Sequence, residues 1–156
     1  MKRFKNLAVT IAMLLVCVTV NAYDFERNGI YYNQTSWDWY SPTVEVTCQD
    51  WDSQIYSGDV VIPSTVFYNG TEYRVTGIGY QAFCNCSELT SVTIPESVTY
   101  IGEWAFAHCY NLASVNIPNE VTLIGEYAFY CCNSLTSATI PDGVTSIESC
   151  TFYRCI

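Results

Sequence analysis

The sequence predicts a mainly β repeat solenoid made of 23-residue coils, and three observations carry that expectation. LTSVTIPESVTYIGEWAFAHCYN from Leu89 is followed by LASVNIPNEVTLIGEYAFYCCNS from Leu112 and LTSATIPDGVTSIESCTFYRCI from Leu135, a period of 23. Apolar positions recur on it: Leu89, Leu112 and Leu135; Val92, Val115 and Ala138; Ile94, Ile117 and Ile140; Val98, Val121 and Val144; Ile101, Ile124 and Ile147; Phe106, Phe129 and Phe152. Half of the 156 residues are hydrophobic and only 13% are charged, so a packed core must form and wholesale disorder is excluded. One unit of this size cannot enclose a core, so neighbouring units are expected to stack.

Taken in order, the first element is a signal segment over residues 1–22. Lys2, Arg3 and Lys5 precede an apolar run from Leu7 to Val20, and Val20-Asn21-Ala22 supplies small residues for cleavage. The run is shorter than the ~20 residues needed to span a bilayer, so no transmembrane span is expected in the mature chain. Cys17 could suggest a lipoprotein site, but the bulky Val16 stands where a small residue is wanted. Cleavage after Ala22 removes three of six basic residues and leaves three against fifteen acidic ones, a net charge of −12. Such a surface argues against nucleic acid and anionic lipid as partners. The expected location is outside the cytoplasm: cell surface, periplasm or medium.

Residues 23–59 read as an N-terminal β cap, which a solenoid needs to cover its first coil. FERNGIYY from Phe25 suggests a hairpin turning at Asn28-Gly29. The solenoid then covers 60–156, about three and a half coils, with a half-unit VTGIGYQAFCNCSE from Val75 in phase. Residues 66–75 read as a hairpin insertion with Asn69-Gly70 at the positive-φ positions of a type I′ turn. Within each coil, LxSVxIP is a short strand that pairs in parallel with its neighbours, ended by Pro95, Pro118 or Pro141. VTxIG is a second short strand, after which Gly102 and Gly125 permit a turn. EWAFAHC and EYAFYCC are expected to form short helical or 3₁₀ turns with Phe and Cys inward.

These residues resemble a known family. The unit IPxxVTxIGxxAFxxCxxL is similar to the BspA-type leucine-rich repeat of bacterial surface and secreted proteins, and the likeness covers Val60 to Ile156. FERNGIYYNQTS, TVEVT and YSGDVVIPSTV look like the segment that precedes such repeats. The resemblance implies an exported, non-enzymatic module for protein interaction or adhesion at the bacterial cell surface, with host matrix or surface proteins or glycans as candidate partners. It carries no catalytic residues to transfer. In the last repeat Glu148 replaces the turn glycine and Thr151 replaces the small residue before phenylalanine, which suggests a degenerating unit. An uncovered last coil would present an open sheet edge, so the alternative is a structural or truncated fragment that self-associates or docks through its C-terminal edge.

Chemistry elsewhere is sparse, and no catalytic residue, cofactor or metal site is expected. Four cysteines, Cys86, Cys109, Cys132 and Cys155, fall on the period and read as a buried structural ladder of small apolar thiols. They line up along the stacking axis, whereas zinc needs a converging set. The off-period thiols Cys48, Cys84, Cys131 and Cys150 are the better disulfide candidates, with no pairing implied. His108, next to Cys109, faces the opposite way, so the two cannot form a nucleophile–base dyad. The candidate binding surface is aromatic and small-polar. Trp104 and Tyr127 share one repeat column, Tyr130 and Tyr153 another, and Tyr80, Tyr100 and Tyr110 lie nearby in phase. Such rings anchor partners or simply pack between coils. Ser91, Thr93, Ser114 and Asn116 project from the strand face that repeat proteins use for binding.

Overall fold

A computed structural model describes residues 23–36, 38–50 and 55–155. The expected signal segment, residues 1–22, lies outside the described residues, as do Trp37, residues 51–54 and Ile156. Strands are the only regular elements among the described residues: β1 (Phe25–Arg27), β2 (Ile30–Gln34), β3 (Thr43–Thr47), β4 (Gly58–Val61), β5 (Thr65–Tyr68), β6 (Thr71–Ile78), β7 (Leu89–Thr93), β8 (Tyr100–Ile101), β9 (Ser114–Asn116) and β10 (Leu123–Ile124).

Parallel pairing follows the 23-residue offset. In one sheet, ordered β4-β7-β9, Ser91 pairs with Ser114, Val92 with Val115 and Thr93 with Asn116, and an isolated bridge continues from Val115 to Ala138. In the other, Gly77 pairs with Tyr100 and Tyr100 with Leu123, while Ile78, Ile101 and Ile124 form the adjacent row. β1, β2 and β3 add to this second sheet as an antiparallel meander, and β3 runs parallel to β6 with one register shift between Val44 and Glu45. The β1–β2 turn has Asn28 at φ 54° and Gly29 at φ 78°. The β5–β6 turn has Asn69 at φ 48° and Gly70 at φ 81°. Positive φ at both central residues matches the right-handed twist of the flanking strands.

The third side of each unit corrects one expectation. The segments around Phe83, Phe106, Phe129 and Phe152 are turns, not helices. Their amides alternate in direction. The N–H groups of Ala105, Ala107 and Cys109 donate back to the carbonyls of Gly102, Trp104 and Phe106, three residues earlier. Those of Trp104, Phe106 and His108 instead donate to Glu126, Ala128 and Tyr130 of the next unit, at 2.7–3.0 Å. The same alternation holds for Gln81, Phe83 and Asn85, and for Tyr127, Phe129 and Cys131. Positive φ at Gln81, Asn85, Trp104, His108, Tyr127, Cys131, Cys150 and Arg154 produces it. These left-handed residues sit at both ends of each turn and point their N–H groups toward the neighbouring unit, as the phenylalanine between them also does. Each such non-glycine residue costs about 1–2 kcal/mol, so the bonds formed must offset that cost.

The core runs along the stack between these three sides. Phe83, Phe106, Phe129 and Phe152 lie face to face, with centroids 4.9, 5.2 and 5.2 Å apart and interplanar angles of 5° or less. Tyr56 extends the row at the N-terminal end, 4.6 Å from Phe83; its hydroxyl donates to Thr47 O and accepts from Tyr31 N. Ile147 departs from the inward phase expected of it. It is 51% exposed, whereas its equivalents Ile101 and Ile124 are fully buried. Thr151 stands where earlier units carry alanine. It is buried, and its hydroxyl donates to Glu148 O at 2.8 Å and lies 3.3 Å from Gly125 O.

At Gly102 and Gly125 a side chain would be obstructed, because the backbones of neighbouring units approach closely there. A Cβ on Gly125 would meet Glu103 N at 2.6 Å and Gly102 C at 2.8 Å, both backbone atoms that cannot swing away. Gly125→Ala is therefore expected to cost about 2–3 kcal/mol, read by thermal or urea unfolding. A variant as stable as the parent would contradict the tight stacking at this position.

Candidate binding face

The left-handed turn residues carry the most conspicuous surface feature. Trp104 and Tyr127 stack at 4.3 Å and 10°, held one above the other by the inter-unit ladder. Tyr130 leans against both, 5.8 Å from Trp104 and 5.6 Å from Tyr127, and stacks on Tyr153 at 5.5 Å. His108 stands edge-on to Tyr130 at 5.3 Å and to Tyr110 at 5.7 Å, and its Nδ1 is 3.1 Å from the Tyr110 hydroxyl. Arg154 lies 5.5 Å from the Tyr153 ring centre, within cation–π reach. The two aromatic columns thus join into one continuous cluster, in which Trp104, Tyr127 and Tyr130 are half-buried while Tyr110 and Tyr153 are exposed. Tyr100 does not join it in this way. Its ring lies across Gly77, where a Cβ would sit 2.0 Å from Cζ, and its hydroxyl donates to Glu45 Oε2 at 2.6 Å.

The small-polar strand face lies on the β4-β7-β9 sheet. Thr93, Ser114 and Asn116 are exposed. Ser91 is half-buried, and its hydroxyl donates to Asp59 Oδ1 at 2.7 Å, beside a second donation from Thr90 at 2.8 Å. These two hydroxyls hold the Asp59 carboxyl below the ordinary carboxylate range. Asp59 was not legible as part of this face, because β4 precedes the clear repeats and lies 32 residues from Ser91.

Below the turn surface run the period cysteines. Cys109 Sγ donates to Phe83 O at 3.0 Å, Cys132 Sγ to Phe106 O at 3.1 Å and Cys155 Sγ to Phe129 O at 3.2 Å. Each thiol therefore serves a carbonyl of the preceding unit as a weak donor as well as filling space. Burial pushes Cys86 up to about 11 and Cys132 up to about 12 from an ordinary 9.0, raises Cys109 well above that value and raises Cys155 too. Cys48, Cys84, Cys131 and Cys150 are free thiols like the ladder four, and only Cys150 is exposed. Cys109 is turned into the core while His108 lies among the outer rings, so the two are not brought together. Among the described residues no group of His, Cys, Asp and Glu could hold a metal ion.

Residues 61–156 match the family model of the BspA-type leucine-rich repeat region, in six copies. The chain belongs to the BspA-type leucine-rich-repeat family. Solved leucine-rich-repeat proteins share its fold. One from Bacteroides ovatus is 37% identical, with a TM-score of 0.66 over 78% of this chain and 30% of that one. One from Bacteroides capillosus is 33% identical, with a TM-score of 0.66 over 80% of this chain and 86% of that one. A leucine-rich cell-surface protein of Faecalibacterium prausnitzii is 30% identical, with a TM-score of 0.63 over 84% of this chain and 40% of that one. The chain thus spans less than half the length of the first and third. No curated protein matches it. In this BspA-type repeat the cysteine column and the aromatic columns are neighbouring rows of the same turn, one facing the core and one facing out.

The thiols supply two checks. Iodoacetamide at neutral pH is expected to alkylate exposed Cys150 first and the buried Cys86, Cys109 and Cys132 only on unfolding, with half-buried Cys155 in between, read by peptide mass spectrometry; early labelling of Cys109 or Cys132 would contradict their burial. Above about pH 9 the native chain holds thiol protons that the unfolded chain has released, so this contribution to stability is intact below that pH and declines above it. A melting temperature that falls from pH 9 to 11 is the expected result, with a flat profile as the opposing one.

Proposed function

We propose that the protein is an exported, non-enzymatic leucine-rich-repeat module for protein interaction or adhesion at the bacterial cell surface. In this reading residues 1–22 are the signal peptide, 23–59 the cap over the first coil and 60–156 the solenoid. The observation that carries it is the continuous aromatic cluster of Trp104, Tyr127, Tyr130 and Tyr153, extended through His108 to Tyr110. Rings fixed by stacking offer large contact area at little entropic cost, which is what an interface anchor requires. Ser91, Thr93, Ser114 and Asn116 provide a second, hydrogen-bonding face. Membership of a repeat family with a cell-surface relative supports the location, and the charge and apolar pattern of residues 1–22 supports export. Host matrix or surface proteins or glycans are the candidate partners, and the separation of His108 from Cys109 supports a role without catalysis.

A second reading is favoured by the last unit. Ile147 is half exposed, and a groove of about 300 Å³ is lined by Leu135, Ala138, Ile140, Phe152 and Cys155. Docking of another copy there is the form this reading takes.

Binding to immobilised matrix proteins is expected to weaken about thirtyfold or more in Tyr110→Ala/Tyr153→Ala, whose rings are exposed enough for the fold to persist. Unchanged binding by the folded variant would sink the aromatic face as the contact. Sedimentation decides the second reading: concentration-dependent dimers abolished by Ile147→Glu support it, and a monomer at high concentration opposes it.

A further inference from the structure

The loop joining β2 to β3 carries two of the most exposed large side chains of the molecule, Trp39 at 92% and Tyr40 at 99% exposure. Exposure of this degree on a tryptophan is unusual and informative, because burying the ring elsewhere would stabilise the fold. The described residues of the loop are nonetheless held in shape. Thr35 and Thr43 close its base, Thr35 N donating to Thr43 O at 2.9 Å and the two hydroxyls meeting at 2.8 Å. Asp38 fixes the tip: Oδ1 accepts from Tyr40 N at 3.0 Å and Oδ2 from Ser41 Oγ at 3.0 Å. Trp39 is thus displayed on a preorganised turn.

Beside it lies a groove of about 250 Å³ between this loop and the start of β6, bordered by Trp39, Pro42, Tyr73, Gln34, Thr71 and Asp38. Tyr73 is braced against Phe25, with ring centroids 5.7 Å apart, so the groove wall is fixed as well. The lining pairs aromatic and proline surface with an amide, a hydroxyl and a carboxylate that retains free lone pairs after its two loop bonds. None of the lining residues is basic. The volume falls below the ~300–1,000 Å³ that houses a drug-sized molecule, which suits a single ring rather than a folded peptide segment. The groove also lies apart from the aromatic cluster of the repeat turns, and Trp39 precedes the residues that match the repeat model.

We propose that this groove is a carbohydrate subsite that takes one pyranose ring of a neutral glycan. Trp39 stacks on the apolar face of the sugar, Tyr73 and Pro42 form the opposite wall, and Gln34, Thr71 and Asp38 hydrogen-bond its hydroxyls. The acidic chain and the absence of a basic lining residue direct the site to uncharged sugars and away from sialylated or sulfated ones.

The test is a titration of the full mature chain with maltohexaose, mannohexaose, cellohexaose and chitohexaose, followed by NMR and calorimetry, with a sialylated and a sulfated oligosaccharide and phosphatidylcholine vesicles alongside. At least one neutral hexasaccharide is expected to bind. Trp39→Ala is expected to weaken it about tenfold or more with an unchanged melting curve, and Trp39→Phe to retain part of the affinity. Failure of all four neutral sugars at millimolar concentration, full binding by Trp39→Ala, or binding of only the acidic sugars or the vesicles would overturn the proposal. Loss of matrix-protein binding in the Tyr110 and Tyr153 variants has no bearing on this result, so the two proposals fail separately.

Discussion

Among the described residues, stacked units hydrogen-bond their backbones to their neighbours, and the rest of the structure follows from that constraint. Strands β7 and β9 do so on one side, β6, β8 and β10 on the second, and the turns on the third. Neighbouring strands lie about 4.8 Å apart, so bonding on all three sides sets one spacing up to β9 and β10, beyond which the turns and a single Val115–Ala138 bridge carry it on. A side chain then sits directly above its own equivalent 23 residues away. The Phe83–Phe106–Phe129–Phe152 row, at 4.9–5.2 Å, shows the spacing imposed on side chains.

That spacing selects residues. Flat rings tolerate face-to-face repetition, which explains phenylalanine inside and the Trp104–Tyr127 and Tyr130–Tyr153 pairs outside. A thiol is small enough to stack and can donate to a carbonyl one unit back, as Cys109 does to Phe83. Glycine is needed where two backbones approach within the reach of a Cβ, at Gly102 and Gly125. At the equivalent of Ala105 and Ala128, Thr151 is accommodated because its hydroxyl finds two carbonyls within reach. The same spacing that builds the core therefore also builds the aromatic face, and binding surface and stability share one cause.

The period, the inward columns and the two Asn-Gly turns were legible because apolar repetition and the Asn-Gly pair are strong local signals. The turn conformation was not. Most of its left-handed positions are filled by residues whose identity does not announce positive φ, such as Gln81, Trp104, Tyr127 and Cys131, while Asn85 and His108 are the usual kinds of occupant. Tyr56 escaped notice because it enters the phenylalanine row out of phase, 27 residues before Phe83. The Tyr100–Glu45 bond joins positions 55 residues apart, one in the repeats and one in the segment before them. Of the candidate surface, the pairings within columns were visible in the sequence, whereas the joining of columns through Tyr130 and His108 depends on how neighbouring turns lean. The exposed Trp39 loop carried a readable cue, aromatics between Ser36 and Pro42, but nothing in the repeat pattern pointed to it.

The turn segments are a third inter-unit ladder and not isolated loops. Native-state hydrogen exchange of the Phe83, Trp104, Phe106, His108, Tyr127 and Phe129 amides tests it most directly, since each donates to the following unit. Protection comparable to that of Val92 and Val115 in the strands is the result the account predicts, because opening any of these bonds requires separating two stacked units. Exchange of those amides at the rate of an exposed loop, with the strands still protected, would contradict it.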